Sequence, residues 1–220
     1  MITAIIFDLD GVLADSEPWW NQIDAKLLSE YGVTYRGEYH QNVVGVSYSI
    51  AIEFYKKAFR INASTEQMMK RRGQIAAKFF ADRVGLFPGT KDVLEQLRQL
   101  DLRLAVATSS VGSSARPFLD RHQLTRLLDV VVTGDEVERG KPAPDIYLRA
   151  AQKLNLRADE CLVVEDAFSG IAAAKAAKMC VAAIPDTRFV SPDSYKEKAD
   201  WVLTSLTDVP LLIREQLTNN

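Results

Sequence analysis

The sequence predicts an α/β fold: a doubly wound, mostly parallel sheet with helices on both faces and a helical segment inserted after the first strand. Three observations predict it. Short, β-branched apolar runs alternate with stretches of helical period, as in successive βα units. Those runs are nearly continuous in Val, Ile, Leu and Ala, as strands covered on both faces tend to be. The rhythm stops between residues 16 and 86, where no convincing strand occurs, and resumes after Phe87-Pro88-Gly89.

Strands are expected at residues 2–7, 103–107, 130–133, 161–164, 180–184 and 201–203. Between them, residues 90–100 carry Val93, Leu94, Leu97 and Leu100 at helical spacing. Residues 142–154 open with prolines and continue through Ile146, Tyr147, Leu148, Ala150, Ala151 and Leu154. Residues 169–178 are rich in alanine, a strong helix former. Within the insert, helices are expected over 19–31, 47–59 and 65–84, the last opened by a Ser64-x-x-Gln67 capping box. Hinges are expected near 14–18 and 86–89, which divides the chain into a core of 1–15 plus 87–220 and an insert of 16–86. The polar tail Thr218-Asn219-Asn220 is expected to fray.

The totals narrow the function. A net charge of −2 argues against nucleic acid as the main partner, because backbone phosphates demand a basic face. Lys70-Arg71-Arg72 reads as a solvated helix face. Cys161 and Cys180 each open an apolar run and read as two buried thiols in a reducing compartment. No Cys or His spacing suggests zinc, and His40 and His122 read as structural or surface residues. No apolar run approaches a membrane span, and the N-terminus enters a strand without a basic leader. A cytoplasmic monomer acting on a small molecule is therefore expected.

The chemistry begins where the first strand ends, at Ile5-Ile6-Phe7-Asp8-Leu9-Asp10-Gly11. Asp8 and Asp10 lean to one side if the chain stays extended, and Gly11 then permits a sharp turn. Alone, Asp10-Gly11 reads as a mere turn. Burying two like charges is costly unless a cation shares the site, most simply a metal ion with an anionic substrate beside it. Further clusters fall at the carboxyl ends of other strands, where open parallel sheets form their sites. Glu165-Asp166 serves as a helix cap or, with Asp8, as the hard oxygen ligands that Mg²⁺ prefers. Thr108-Ser109-Ser110 suits an N-cap or the oxygens of a phosphate. Lys141, stiffened by Pro142 and Pro144, is a well-placed cation rather than a solvated loop lysine.

In this order, Asp8-Leu9-Asp10-Gly11-Val12, Thr108, Lys141 and Glu165-Asp166 resemble the four motifs of the haloacid dehalogenase superfamily, over essentially the whole chain. Residues 16–86 resemble the helical (C1-type) cap of the subgroup containing β-phosphoglucomutase and small sugar-phosphate phosphatases, as do Asp15-Ser16-Glu17-Pro18 and Gly45-Val46-Ser47. The resemblance implies a Rossmann-like core, a Mg²⁺ cofactor and a small phosphate ester as substrate. Asp8 would be the nucleophile and Asp10 the general acid and base. Thr108, Ser109, Lys141 and Gly11 would meet the phosphate. Asp8, Asp10 through its backbone carbonyl, Asp166, and Glu165 directly or at one remove would serve the metal. Glu17, Trp20, Gly45 and Ser47 would be candidates for substrate selection.

Two departures separate this chain from the mutases. They carry a histidine where Trp20 aligns and an arginine, able to grip a second phosphate, where Tyr48 stands. A phosphatase acting on a sugar or polyol phosphate is therefore expected ahead of a phosphomutase. A metal-independent dehalogenase would leave Asp10 and Glu165-Asp166 without a purpose, and a phospho-receiver module would lack so large an insert.

Overall fold

The computed structural model describes residues 1–43, 48–188 and 190–218. Its six-stranded sheet comprises β1 (Ala4–Phe7), β4 (Arg103–Ala107), β5 (Val130–Val132), β6 (Cys161–Glu165), β7 (Cys180–Ala183) and β8 (Trp201–Val202), in the order β5-β4-β1-β6-β7-β8. Every pairing in it is parallel. β1 lies between β4 and β6, with Phe7 opposite Val106 on one side and Val164 on the other. The chain runs outward from β1 in both directions, so the loops beyond its carboxyl end part and leave a crevice there.

Alternation along the strands builds two cores. Ile5, Phe7, Leu104, Val106, Leu162 and Val164 face one way, together with Leu94 and Leu97 of α4 (Thr90–Arg98) and Val209 and Leu212 of α8 (Val209–Thr218). Ile6, Ala105, Val163 and Val181 face the other way, with Ile146 and Tyr147 of α6 (Asp145–Leu154) and Ile171 and Ala174 of α7 (Phe168–Ala176). All four residues of β1 are fully buried, each large one worth about 1.5–3 kcal/mol. Charges at the end of such a strand are fixed in place by the packing beneath them.

The interruption between 16 and 86 holds α1 (Glu17–Ser29), α2 (Tyr48–Phe59) and α3 (Thr65–Asp82). Ser64 and Gln67 make the expected reciprocal cap. A short antiparallel ribbon, unforeseen in the sequence, joins the two connections: β2 (Ala14–Asp15) pairs with β3 (Gly85–Leu86). α3 packs lengthwise on α5 (Gly112–Arg121), with Phe80 edge-on to Phe118 at 5.5 Å. α8 was also unforeseen, although Val209, Leu212 and Ile213 carry a helical spacing.

Three readings need adjustment. Lys70-Arg71-Arg72 is not wholly solvated: Arg72 is buried and bonds Asp24 of α1 through Nε at 2.6 Å. Cys161 is buried but Cys180 is only half-buried, and burial pushes the Cys161 thiol up to about 11. The prolines at 142 and 144 precede α6 rather than open it, leaving Lys141 on a loop. Gly45, Ser47 and the tail residues Asn219 and Asn220 lie outside the described residues. No helix among the described residues is long and apolar enough to cross a membrane.

Candidate active site

Asp8 leaves β1 still in register, its backbone N–H donating to Val164 O at 3.0 Å. The residue is 6% exposed. Lys141 Nζ donates to Asp8 Oδ1 at 2.8 Å and to Glu165 Oε1 at 2.6 Å, which draws the loop after β5 onto β1 and β6. Burial pushes the Asp8 carboxyl up to about 8, with Lys141 pulling down and Glu165 and Asp10 pushing up again. Lys141 stays charged: burial opposes the proton, yet Asp8 and Glu165 together hold its pKa well above the ordinary lysine value.

Asp166 sits beside them. Burial first, then the charges of Glu165, Asp8 and Glu17, hold its carboxyl well above the usual range. Glu17, at the start of α1, thus brings an insert acid within electrostatic reach of the core. Gly11 makes the close approach feasible: it adopts φ +78°, and a Cβ there would stand 2.0 Å from Asp166 Oδ2. One carboxylate oxygen from each of Asp8, Glu165 and Asp166 lies within 4.8 Å of the others. Three acids so close, two of them sharing Lys141, bring together the hard oxygen ligands of a metal site.

Asp10 faces a different set of partners. Its Oδ1 accepts from Ser16 Oγ at 2.8 Å, and its Oδ2 accepts from Ser110 Oγ at 2.8 Å and Thr108 Oγ1 at 3.2 Å. Burial raises its pKa, while the Ser110, Ser16 and Thr108 hydroxyls pull it back. Burial and hydroxyls from two separate segments thus act on this carboxyl in opposite directions. Thr108 also accepts the Ser110 backbone N–H at 3.0 Å, which shapes the loop after β4. Gly134 lets the loop after β5 press on that loop, since a Cβ there would lie 2.3 Å from Ser109 O.

The structure thus brings together Asp8, Asp10, Gly11, Thr108, Ser109, Lys141, Glu165 and Asp166. Trp20 is 7% exposed, tilted on Phe80 at 5.8 Å and beneath the Arg72 guanidinium at 4.4 Å. Trp20 and Arg72 line a cavity of about 730 Å³ between α3 and the loops after β4 and β5. Ser109, Ser110 and Gly140 also line it, so it adjoins the loops that carry Thr108 and Lys141, while Asp8, Asp10, Glu165 and Asp166 are not among its lining residues.

Several participants escaped the sequence reading. Ser110 reads in the sequence as part of an N-cap or phosphate-binding cluster and Ser16 as part of the Asp15–Pro18 stretch, but only the fold turns both onto Asp10. Tyr147 read as helix core, yet its hydroxyl donates to Glu165 Oε1 at 2.7 Å. Tyr195 carried no signal, and its hydroxyl donates to the Asp166 backbone carbonyl at 2.6 Å.

Residues 5–184 match the family model described as haloacid dehalogenase-like hydrolase. The chain is 35% identical to a phosphorylated carbohydrates phosphatase of Thermotoga maritima over 174 residues, covering 79% of this chain and 81% of that one. It is 34% identical to the mitochondrial (DL)-glycerol-3-phosphatase 1 of Arabidopsis thaliana over 218 residues, covering 94% of this chain and 71% of the relative. In fold it is similar to CbbY from Rhodobacter sphaeroides, solved in complex with phosphate, with a TM-score of 0.82 at 24% identity over 95% and 96% of the two chains.

Proposed function

The chain belongs to the haloacid dehalogenase-like hydrolase family, and from that premise we propose that it is a Mg²⁺-dependent phosphatase that hydrolyses a small sugar or polyol phosphate through an aspartyl-phosphate on Asp8. One observation carries the proposal. A buried carboxylate at the end of the central strand is held by a buried lysine, and two further acids crowd against it.

Asp8 and Asp166 would hold the metal with the backbone carbonyl of Asp10, Glu165 serving directly or at one remove. Bound there, the ion supplies charge neutralisation for a phosphate that must enter an anionic pocket. Lys141 keeps Asp8 oriented through Oδ1 and offsets charge on the entering phosphate. Asp8 attacks phosphorus, the P–O bond to the leaving alcohol breaks, and Asp10 gives that oxygen its proton. Water then attacks the phosphorus of phospho-Asp8 while Asp10 takes the water proton. The Asp8–phosphorus bond breaks, releasing inorganic phosphate and restoring both acids. Residues 16–86 act as a cap over the core of 1–15 and 87–220, excluding water while phosphorus moves. Trp20 and Tyr48, standing where the mutases carry a histidine and an arginine able to grip a second phosphate, support a hydrolase over a mutase.

Asp8→Asn tests the assignment. The variant should keep its circular dichroism spectrum and melting transition and lose hydrolysis of every ester in a panel of sugar, polyol and short-chain acid phosphates assayed with Mg²⁺. EDTA should abolish wild-type turnover on the same panel. Hydrolysis retained by Asp8→Asn refutes the nucleophile.

A further inference from the structure

Both connections of the insert pass through the short ribbon of β2 and β3, where Asp15 lies opposite Gly85. The neighbours of Asp15 are buried, Ala14 at 0% and Ser16 at 1% exposed. Asp15 instead meets the loop that follows β7. There Arg188 Nη2 donates to Asp15 Oδ1 at 2.9 Å, across 173 positions of sequence. Ser16, next along the chain, gives its hydroxyl to Asp10, so the strand that Arg188 grips also presents Ser16 to the site.

Arg188 comes to this contact already held. Asp186 Oδ1 accepts the Arg188 backbone N–H at 3.0 Å and its Nε at 2.9 Å, and Asp186 Oδ2 accepts Nη2 at 2.6 Å. The loop folds back on itself and fixes the plane of the guanidinium. Most surface ion pairs gain little, because two long side chains must be ordered to make them. Here the longer one is ordered by its own loop, so its fork is aimed at Asp15 in advance.

The pair is also partly wet, with the Arg188 and Asp15 side chains 44% and 38% exposed. Water screens it, and it biases an equilibrium rather than locking one. The other side of the ribbon is held by different means. Arg121 of α5 donates to the carbonyls of Ala81 and Val84 at the end of α3. The outgoing connection is thus tied through backbone carbonyls beside a packed helix pair, and the incoming one through a solvated ion pair.

We propose that Arg188 is a positioning residue that latches the ribbon: it holds β2 to the loop after β7 and so sets the balance between two arrangements of the insert on the core. Asp186 aims the latch and Asp15 receives it. The contact is weak enough to break and re-form each time the insert swings.

A double-mutant cycle of Asp15→Asn and Arg188→Gln tests it, read by ¹⁵N relaxation dispersion at the amides of Asp15, Ser16, Gly85 and Leu86. In low salt, each single variant should raise the population of the second arrangement about three- to fivefold, and the double variant no further. Raising salt to about 0.5 M should do the same to the wild type and leave Arg188→Gln unchanged. Additive effects in the cycle, an equal response to salt in wild type and Arg188→Gln, or the same dispersion in all four proteins, none included, each overturn the latch. The kinetic arm alone rests on the phosphatase reading. On an ester that the wild type hydrolyses, each single variant should raise KM about three- to fivefold, because fewer molecules hold the latched arrangement, with kcat within about twofold of wild type. A fall in kcat at unchanged KM would place Arg188 in the chemistry and overturn the positioning role. Should no ester in the panel be hydrolysed, the phosphatase reading fails, and the dispersion cycle still decides the latch.

Discussion

Asp10 shows how single hydroxyls tune the proposed general acid. It must hold a proton in one half of the proposed cycle and lack it in the other. Burial favours the protonated form, and Ser110, Ser16 and Thr108 favour the ionised one. Ser110→Ala removes the shorter of the two bonds to Oδ2. Losing it should cost about 1 kcal/mol, roughly fivefold in rate. The loss should fall on hydrolysis of phospho-Asp8, where Asp10 must be ionised, so quench-flow should find more phospho-enzyme at steady state than in wild type. A variant with slower turnover and no extra phospho-enzyme would place Ser110 elsewhere in the cycle. Gly11 illustrates what one chain can reveal at this scale. Its turn was legible beside Asp10, because positive φ is a local property. Its second task, clearing room for Asp166, depends on a residue more than a hundred positions away and leaves no local trace.

At the scale of elements, α3 and the turn after β5 carry the predictions. On α3, Met68, Arg72, Ile75 and Ala76 share the buried face, so the helical period itself places Arg72 in the core. Three basic residues in a row masked that period. Asp24 compensates the charge, with Oδ1 on Arg72 Nε at 2.6 Å and Oδ2 on both Arg72 Nη2 at 3.2 Å and the Tyr55 hydroxyl at 2.8 Å. Asp24→Ala leaves that guanidinium without its counter-ion and should destabilise the protein by about 3–5 kcal/mol in urea unfolding. A loss under 1 kcal/mol would mean that water relieves the charge. The turn at Gly134–Glu136 ties β5 to its neighbours, with Glu136 accepting from Arg116 at 2.8 Å and from Thr133 N at 3.1 Å and pairing with Lys153. Burial opposes ionisation of Glu136, but Lys153 and Thr133 prevail and lower its pKa below the ordinary 4.5. Its stabilisation is therefore complete above pH 4.5 and is lost as pH falls through the folded value. Melting temperature measured from pH 6 to pH 3 should fall less steeply in Glu136→Gln than in wild type; equal slopes would remove Glu136 from the acid limb.

Across the whole molecule, the parallel sheet was legible because each βα unit announces itself locally, and sites in such sheets gather at strand ends. Strand order was not legible, since it is a contest among packings that no single strand records. That order sets β1 between β4 and β6, and it turns four distant polar clusters into one pocket. The same convergence burdens the fold. Asp8, Glu165 and Asp166 crowd within 4.8 Å of one another, and burial holds the pKa of both Asp8 and Asp166 high. Folding without a divalent ion must therefore bear repulsion and desolvation that a bound ion would relieve. Asp166→Asn removes one of these acids at nearly constant volume. Free of metal, it should melt above wild type, by about 2–4 °C for each kcal/mol relieved. Mg²⁺ at about a hundred times its dissociation constant should stabilise the wild type by about 2.7 kcal/mol. The variant should gain far less, so the two melting curves should exchange order as Mg²⁺ is titrated in. Scanning calorimetry at several Mg²⁺ concentrations measures both effects. Curves that never cross, with the variant lower throughout, would show that the Asp166 carboxylate does not strain the metal-free fold.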